Sequence, residues 1–137
     1  MRTETTAAKC LWRETTLRRN DKTSWQARQA TGLWLADCNS TLRSDALQIV
    51  SELVANVIQH VPGDWVEVRL GFGDGFVRLE VIDPGTRETE PRFTSRATSL
   101  EESGRGLGIV AGLSIRCGTE IVEGGRRVVW ADLAVGQ

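Results

Sequence analysis

The sequence predicts an α+β two-layer sandwich, with helices layered on one face of a sheet built from hairpins. Three observations point there. Apolar residues recur with a helical period up to His60 and switch to strict alternation at Trp65. The alternating runs come in neighbouring pairs joined by Gly73-Asp74-Gly75 and Glu123-Gly124-Gly125, so strands pair locally as hairpins. The helical stretches are grouped, not interleaved strand by strand, which disfavours a doubly wound parallel sheet. A length of 137 residues suits one domain, 1–137, with a core that needs no metal or disulfide.

In chain order, residues 1–9 are expected to be flexible, and "AAKCLWRETTL" can form a short edge strand. Thr23 or Ser24 is expected to cap a helix through "WQARQATGLWLADC", with Trp25, Ala30, Leu33 and Trp34 among its apolar residues. Ser40 or Thr41 is expected to cap a second helix, "LRSDALQIVSELVANVIQH", which Pro62-Gly63 ends. "WVEVRLGF" alternates, with Val66, Val68 and Leu70 on one face and Trp65, Glu67 and Arg69 on the other. "FVRLEVI" is the return strand. After a long polar stretch, "GLGIVAGLSIRC" reads as a helix that starts within the glycines. "TEIVEGGRRVVWADL" reads as a closing hairpin around the Glu-Gly-Gly turn.

Composition narrows the function. The net charge of -1 gives no basic field for nucleic acid. Cys10, Cys38 and Cys117 are widely spaced and form no Cys-x-x-Cys or Cys/His cluster, so reduced thiols in a cytoplasm are expected. The N-terminal stretch contains acids and no apolar run, unlike a signal peptide, and no run reaches transmembrane length. The expected location is cytoplasmic, without membrane or direct nucleic-acid contact.

Two features carry chemistry. On the second helix, Ile49, Val50, Leu53, Val54, Val57 and Ile58 fill one half-circle, and Ser44, Gln48, Ser51, Ala55 and Gln59 the other. Glu52, Asn56 and His60 recur at i, i+4, i+8 along the boundary. Such a stripe is either a solvated helix edge or the wall of a cleft. The second feature is a pair of glycine motifs around the long polar stretch. Asp83-Pro84-Gly85 ends an apolar strand, either as a plain turn or as an acceptor carboxylate at a strand end. Gly104-Arg105-Gly106-Leu107-Gly108 opens a helix, where unpaired N–H groups and the helix dipole favour an anion such as phosphate. Packing against the sheet accounts for those glycines equally well. Neither a Rossmann fingerprint nor a Walker A loop is present: no apolar strand precedes the glycines, and Gly-Lys-Ser/Thr is absent.

Taken together, the order Glu-x-x-x-Asn-x-x-x-His on a helix, Asp-x-Gly after a strand, a long loop and Gly-x-Gly-Leu-Gly opening a helix resembles the GHKL ATPases. "SELVANVIQH" is similar to their N box, "DPG" to the first glycine box and "GRGLGIV" to the second; the likeness runs from about Trp25 to Leu133. More narrowly, the chain resembles the small stand-alone anti-sigma-factor serine/threonine kinases of actinobacterial type. The resemblance implies the Bergerat, histidine-kinase-like fold: a mixed, mostly antiparallel sheet with about three helices on one face. It implies ATP and Mg2+ as ligands, with Asn56 holding the metal and Glu52 as general base. Asp83 would accept from the adenine amine, and Gly85 would let the base lie close. Gly104, Gly106 and Gly108 would offer N–H groups to the phosphates, with Leu107 between them and Arg105 adding positive charge. Residues 86–103 would be the ATP lid. His60 matches a nucleotide-site position of less defined role. Where the family often has a further glycine, this chain has Arg87.

The resemblance further implies a sigma factor or an anti-sigma-factor antagonist as partner, and a homodimer. Sensor histidine kinases would need a phosphoacceptor histidine on a dimerisation helix, whereas the one histidine here is His60. Gyrase-like and chaperone-like ATPases would need a lysine from a following domain. Two functional readings follow: a protein-serine kinase acting on an antagonist, and an ATP-responsive protein-binding switch with little or no phosphotransfer. A domain that binds partners without nucleotide is a third, disfavoured by Glu52 and Asn56 standing together.

Overall fold

The computed structural model describes residues 12–85 and 104–136, with side chains from Leu107 onward in the last helix. The stretches expected to be flexible (1–9) and to form the lid (86–103, with Arg87) lie outside the described residues. The elements run β1 (Trp12–Arg18), α1 (Thr23–Trp34), α2 (Ser40–His60), β2 (Trp65–Phe72), β3 (Phe76–Asp83), α3 (Gly104–Leu113), β4 (Arg116–Ile121) and β5 (Arg127–Ala134), with a short 3-10 turn at Glu123–Gly125. The strands form one five-stranded sheet in the order β1-β2-β3-β5-β4. Its four pairings are all antiparallel among the described residues, so the expected mixed sheet is simpler than anticipated.

Alternation decides which face of the sheet is covered. Val66, Val68 and Leu70 of β2 pair in register with Leu17, Val81 and Leu79, and all three are fully buried. They pack with Val77, Ala131 and Leu133 against Ile49, Val50, Leu53, Val54 and Val57 of α2. The apolar half-circle of α2 is therefore the core-facing side as expected, except that Ile58 is 40% exposed.

The other face of the sheet is closed by long side chains. Arg69 lies over the Trp12 ring at 4.4 Å and Arg78 over the Trp130 ring at 4.3 Å, cation–π contacts that cover the strands beneath. Arg78 grips the buried Asp132 through Nε and Nη2 at 2.7 and 2.8 Å, and that hydrogen bonding raises its pKa. Glu67, on the same face, has its carboxyl pushed up by burial and by the neighbouring Glu14.

Three element boundaries depart from expectation. The α1 helix starts at Thr23 and ends at Trp34, four residues before Cys38, and neither Thr23 nor Ser24 caps it. Thr23 Oγ1 turns back instead, accepting from Asn20 N–H at 2.7 Å and donating to the Arg18 and Asn20 carbonyls. Asn20 Oδ1 meanwhile takes the Lys22 N–H, a local turn that competes with capping. The α2 cap is Asn39, one residue before Ser40; its Oδ1 accepts Leu42 N–H at 2.8 Å. The α3 helix spans Gly104–Leu113, and "SIRC" is not helical: β4 already begins at Arg116.

The face that α1 buries is also unexpected. Thr23, Ala27 and Thr31, spaced i, i+4, i+8, are inside, while Trp25 is 60% and Leu33 73% exposed. Small residues let α1 lie close to α2, and a large apolar residue there would hold the helices apart. Of the apolar residues named in that helix, Trp34 is partly buried against the core.

Candidate functional site

The site is built around α2, which packs on β3, on β5 and on α3, and so touches the elements that carry both glycine motifs. It is held at both ends. Asn39 caps its start, and Arg19 Nη2 reaches the Val57 and Ile58 carbonyls of its last turn at 3.4 and 3.3 Å. Gly63, just past its end with φ 139°, lies so close to the second motif that a Cβ there would sit 2.9 Å from Pro84 Cγ. The loop leaving the helix is thus seated on the Asp83-Pro84-Gly85 turn.

On this fixed helix, Glu52 and Asn56 are half-buried, one turn apart, and neither side chain has a hydrogen-bond partner among the described residues. A carboxylate and an amide at the margin of a core, free of protein partners, are available to a ligand. His60 is exposed in the last turn, where the helix dipole favours positive charge, so its position has a structural explanation of its own.

Asp83 ends β3 with its carboxylate fully buried. Its Oδ1 accepts the Gly85 N–H at 2.7 Å, an Asx turn. Its Oδ2 accepts from Arg127 Nε at 3.1 Å. Gly85 has φ 69°, and a Cβ on it would overlap the Gly125 carbonyl oxygen in the turn before β5. The close approach expected between Gly85 and a base is therefore made, in this structure, to the protein's own backbone. Gly85→Ala is expected to cost about 1–3 kcal/mol through the left-handed backbone and that overlap together. Its denaturation midpoint should fall accordingly, and an unchanged midpoint would refute the requirement.

The second glycine motif opens a helix as expected, since α3 begins at Gly104 and includes Gly106, Leu107 and Gly108. The Arg105 side chain is outside the described residues. Gly108 is exposed, and a Cβ on it would meet nothing within 4 Å. Packing among the described residues does not demand glycine there. Downstream, Val110 is buried in the core and fixes the helix against the sheet.

The donor set also bears on the metal. Among the described residues no three His, Cys, Asp or Glu side chains gather to hold an ion. A hard cation here would have to take most of its oxygens from phosphates and water, as magnesium does in nucleotide sites. One Asn56 oxygen fits that arrangement. A separate shallow depression of 640 Å³, lined by Thr16, Arg18, Trp65, Glu67 and Arg126 among others, contains none of the motif residues.

Arg127 is the residue that sequence reasoning missed. It sits across the β3–β5 pairing from Asp83. Only the strand register reveals it, because 44 residues separate the two in sequence.

A five-stranded antiparallel sheet with helices on one face is the architecture of the histidine kinase-like ATPase fold. The comparison with known families agrees: the model of the histidine kinase-like ATPase domain matches residues 19–131. The chain belongs to that family. No curated protein matches it. No helix among the described residues is long and apolar enough to cross a membrane.

Proposed function

We propose that this protein is an ATP-binding regulator: a cytoplasmic anti-sigma factor with serine/threonine kinase activity towards an anti-sigma-factor antagonist. The observation that carries the reading is the Glu52–Asn56 pair, half-buried, unbonded to protein among the described residues, and set on the helix that packs against the glycine-started α3. Family membership supports ATP as the ligand.

The chain's own groups have defined tasks. Asp83 accepts from the adenine amine with capacity left after Gly85 and Arg127. The N–H groups at the start of α3 bind phosphate oxygens. Asn56 would hold magnesium, whose positive charge would offset the negative charge of the phosphate oxygens. Glu52 takes the proton of the attacking serine hydroxyl; that oxygen bonds to the γ-phosphorus, and the bond to the bridging oxygen breaks, releasing ADP. The chain works as a homodimer with a sigma factor or antagonist as partner.

Calorimetric titration of MgATP tests the site. The wild type is expected to bind, and Asn56→Ala to lose the magnesium-dependent part of the affinity while circular dichroism shows the fold intact. Equal MgATP affinity in both would remove Asn56 from the site. Label passing from γ-labelled ATP to a serine of an antagonist protein supports transfer. Nucleotide-dependent binding without label supports the switch reading instead.

A further inference from the structure

Asp83 and Arg127 together present more than an ion pair. Arg127 Nε donates to Asp83 Oδ2 at 3.1 Å, and Nη2 stands 3.1 Å from the same oxygen. Only the first of these has hydrogen-bonding geometry. Nη2 is buried and has no hydrogen-bond acceptor among the described residues. Nη2 carries two N–H groups, and beyond the charge contact with Asp83 no acceptor among the described residues takes either of them, which leaves a buried donor suited to a ligand acceptor. Asp83 has the opposite surplus: a carboxylate offers about four lone-pair sites, and Gly85 N–H and Arg127 Nε occupy part of that capacity. At the ends of two neighbouring strands, a buried acceptor with capacity left thus stands beside a buried, charge-paired donor with an N–H to spare.

The Watson–Crick edge of adenine is the complement of that pair, with an amine donor at C6 next to a ring-nitrogen acceptor at N1. We propose that Arg127 is a base-reading residue: Asp83 accepts from the exocyclic amine, and Arg127 Nη2 donates to N1. The inference rests on the nucleotide-binding reading above and adds a second, opposite-polarity contact to it. Hypoxanthine and guanine present a carbonyl and an N–H at the same two positions. Both polarities are then reversed and both buried groups left unpaired, so those bases are rejected. The pair's rigidity favours the task, because Asp83 is locked by Gly85 and Arg127 is fixed by the β3–β5 register.

The test is titration of the whole chain with ATP, 1-deaza-ATP (N1 replaced by C–H) and ITP, in magnesium, for the wild type and Arg127→Ala. Thermal melts check the fold. Should the alanine variant fail to fold, Arg127→Lys keeps a cation beside Asp83 without the forked donor. The wild type is expected to prefer ATP over 1-deaza-ATP by about tenfold or more. The variant is expected to bind ATP weakly, no better than 1-deaza-ATP, while still rejecting ITP through Asp83. Equal binding of ATP and 1-deaza-ATP by the wild type overturns the proposal with ATP binding intact. So does tighter ATP binding by Arg127→Ala, which would make Arg127 a plug on the carboxylate. Absence of ATP binding by the folded wild type overturns the nucleotide reading and this inference with it.

Discussion

Glu52→Ala is expected to keep MgATP affinity close to that of the wild type and to slow phosphate transfer by about 10²–10⁴-fold, the range a positioned general base contributes. Retained binding follows from where Glu52 sits. It is half-buried, makes no hydrogen bond among the described residues, and flanks Leu53, which is in the core. Removing its carboxylate breaks no ion pair among the described residues and leaves the core side of the helix untouched. The lost rate is a transition-state effect alone, so binding and turnover should separate cleanly. Single-turnover transfer from γ-labelled ATP to an antagonist serine, set beside calorimetry, measures both. Undiminished transfer would show that Glu52 is not the base.

Asp132→Ala is expected to destabilise the fold by about 3–5 kcal/mol, the range for removing one partner of a buried ion pair. Asp132 is fully buried and accepts three charge-assisted bonds, from Arg78 Nε and Nη2 at 2.7 and 2.8 Å and from Arg116 Nε at 3.0 Å. Alanine leaves the Arg78 guanidinium without its carboxylate on a face where Phe76 and Trp130 rings already crowd it. The effect should exceed that of Arg116→Ala, because the Arg116 side chain is 54% exposed and can return to water. Urea titration of the two variants decides it; comparable losses would show that the buried Arg78–Asp132 pair is not the costly one.

Much of this molecule is legible in its sequence, for reasons tied to particular residues. The α2 helix and the β2–β3 hairpin stand out because Ile49 to Val57 keep a helical period and Val66 to Leu70 alternate, and burial follows those periods. Glu52, Asn56, Asp83 and the α3 glycines could be read as one constellation only because they lie in order on the right elements. What escaped depends on tertiary packing. The inward face of α1 is made by Thr23, Ala27 and Thr31, which no hydrophobic pattern marks, while Trp25 and Leu33 point outward. The start of β4 was hidden because "RCGTEI" has no clean alternation and follows an apolar helix directly. Arg127 follows another arginine after a turn, which reads as solvent-exposed sequence until the strand register sets it against Asp83.

The place of β5 in the strand order has a consequence for synthesis. The last described strand in chain order, β5, is an interior one, lying between β3 and β4. As the chain emerges from a ribosome, β4 appears before β5, the one strand it pairs with among the described residues, and until then β3 has one edge open. Asp83 likewise lacks its Arg127 until that moment. Joining β3 to β4 through β5 is therefore a non-local step, which only the late-made strand can complete. A nascent chain stalled before Arg127 would expose the β3 edge, and chaperones should retain it there until β5 is made.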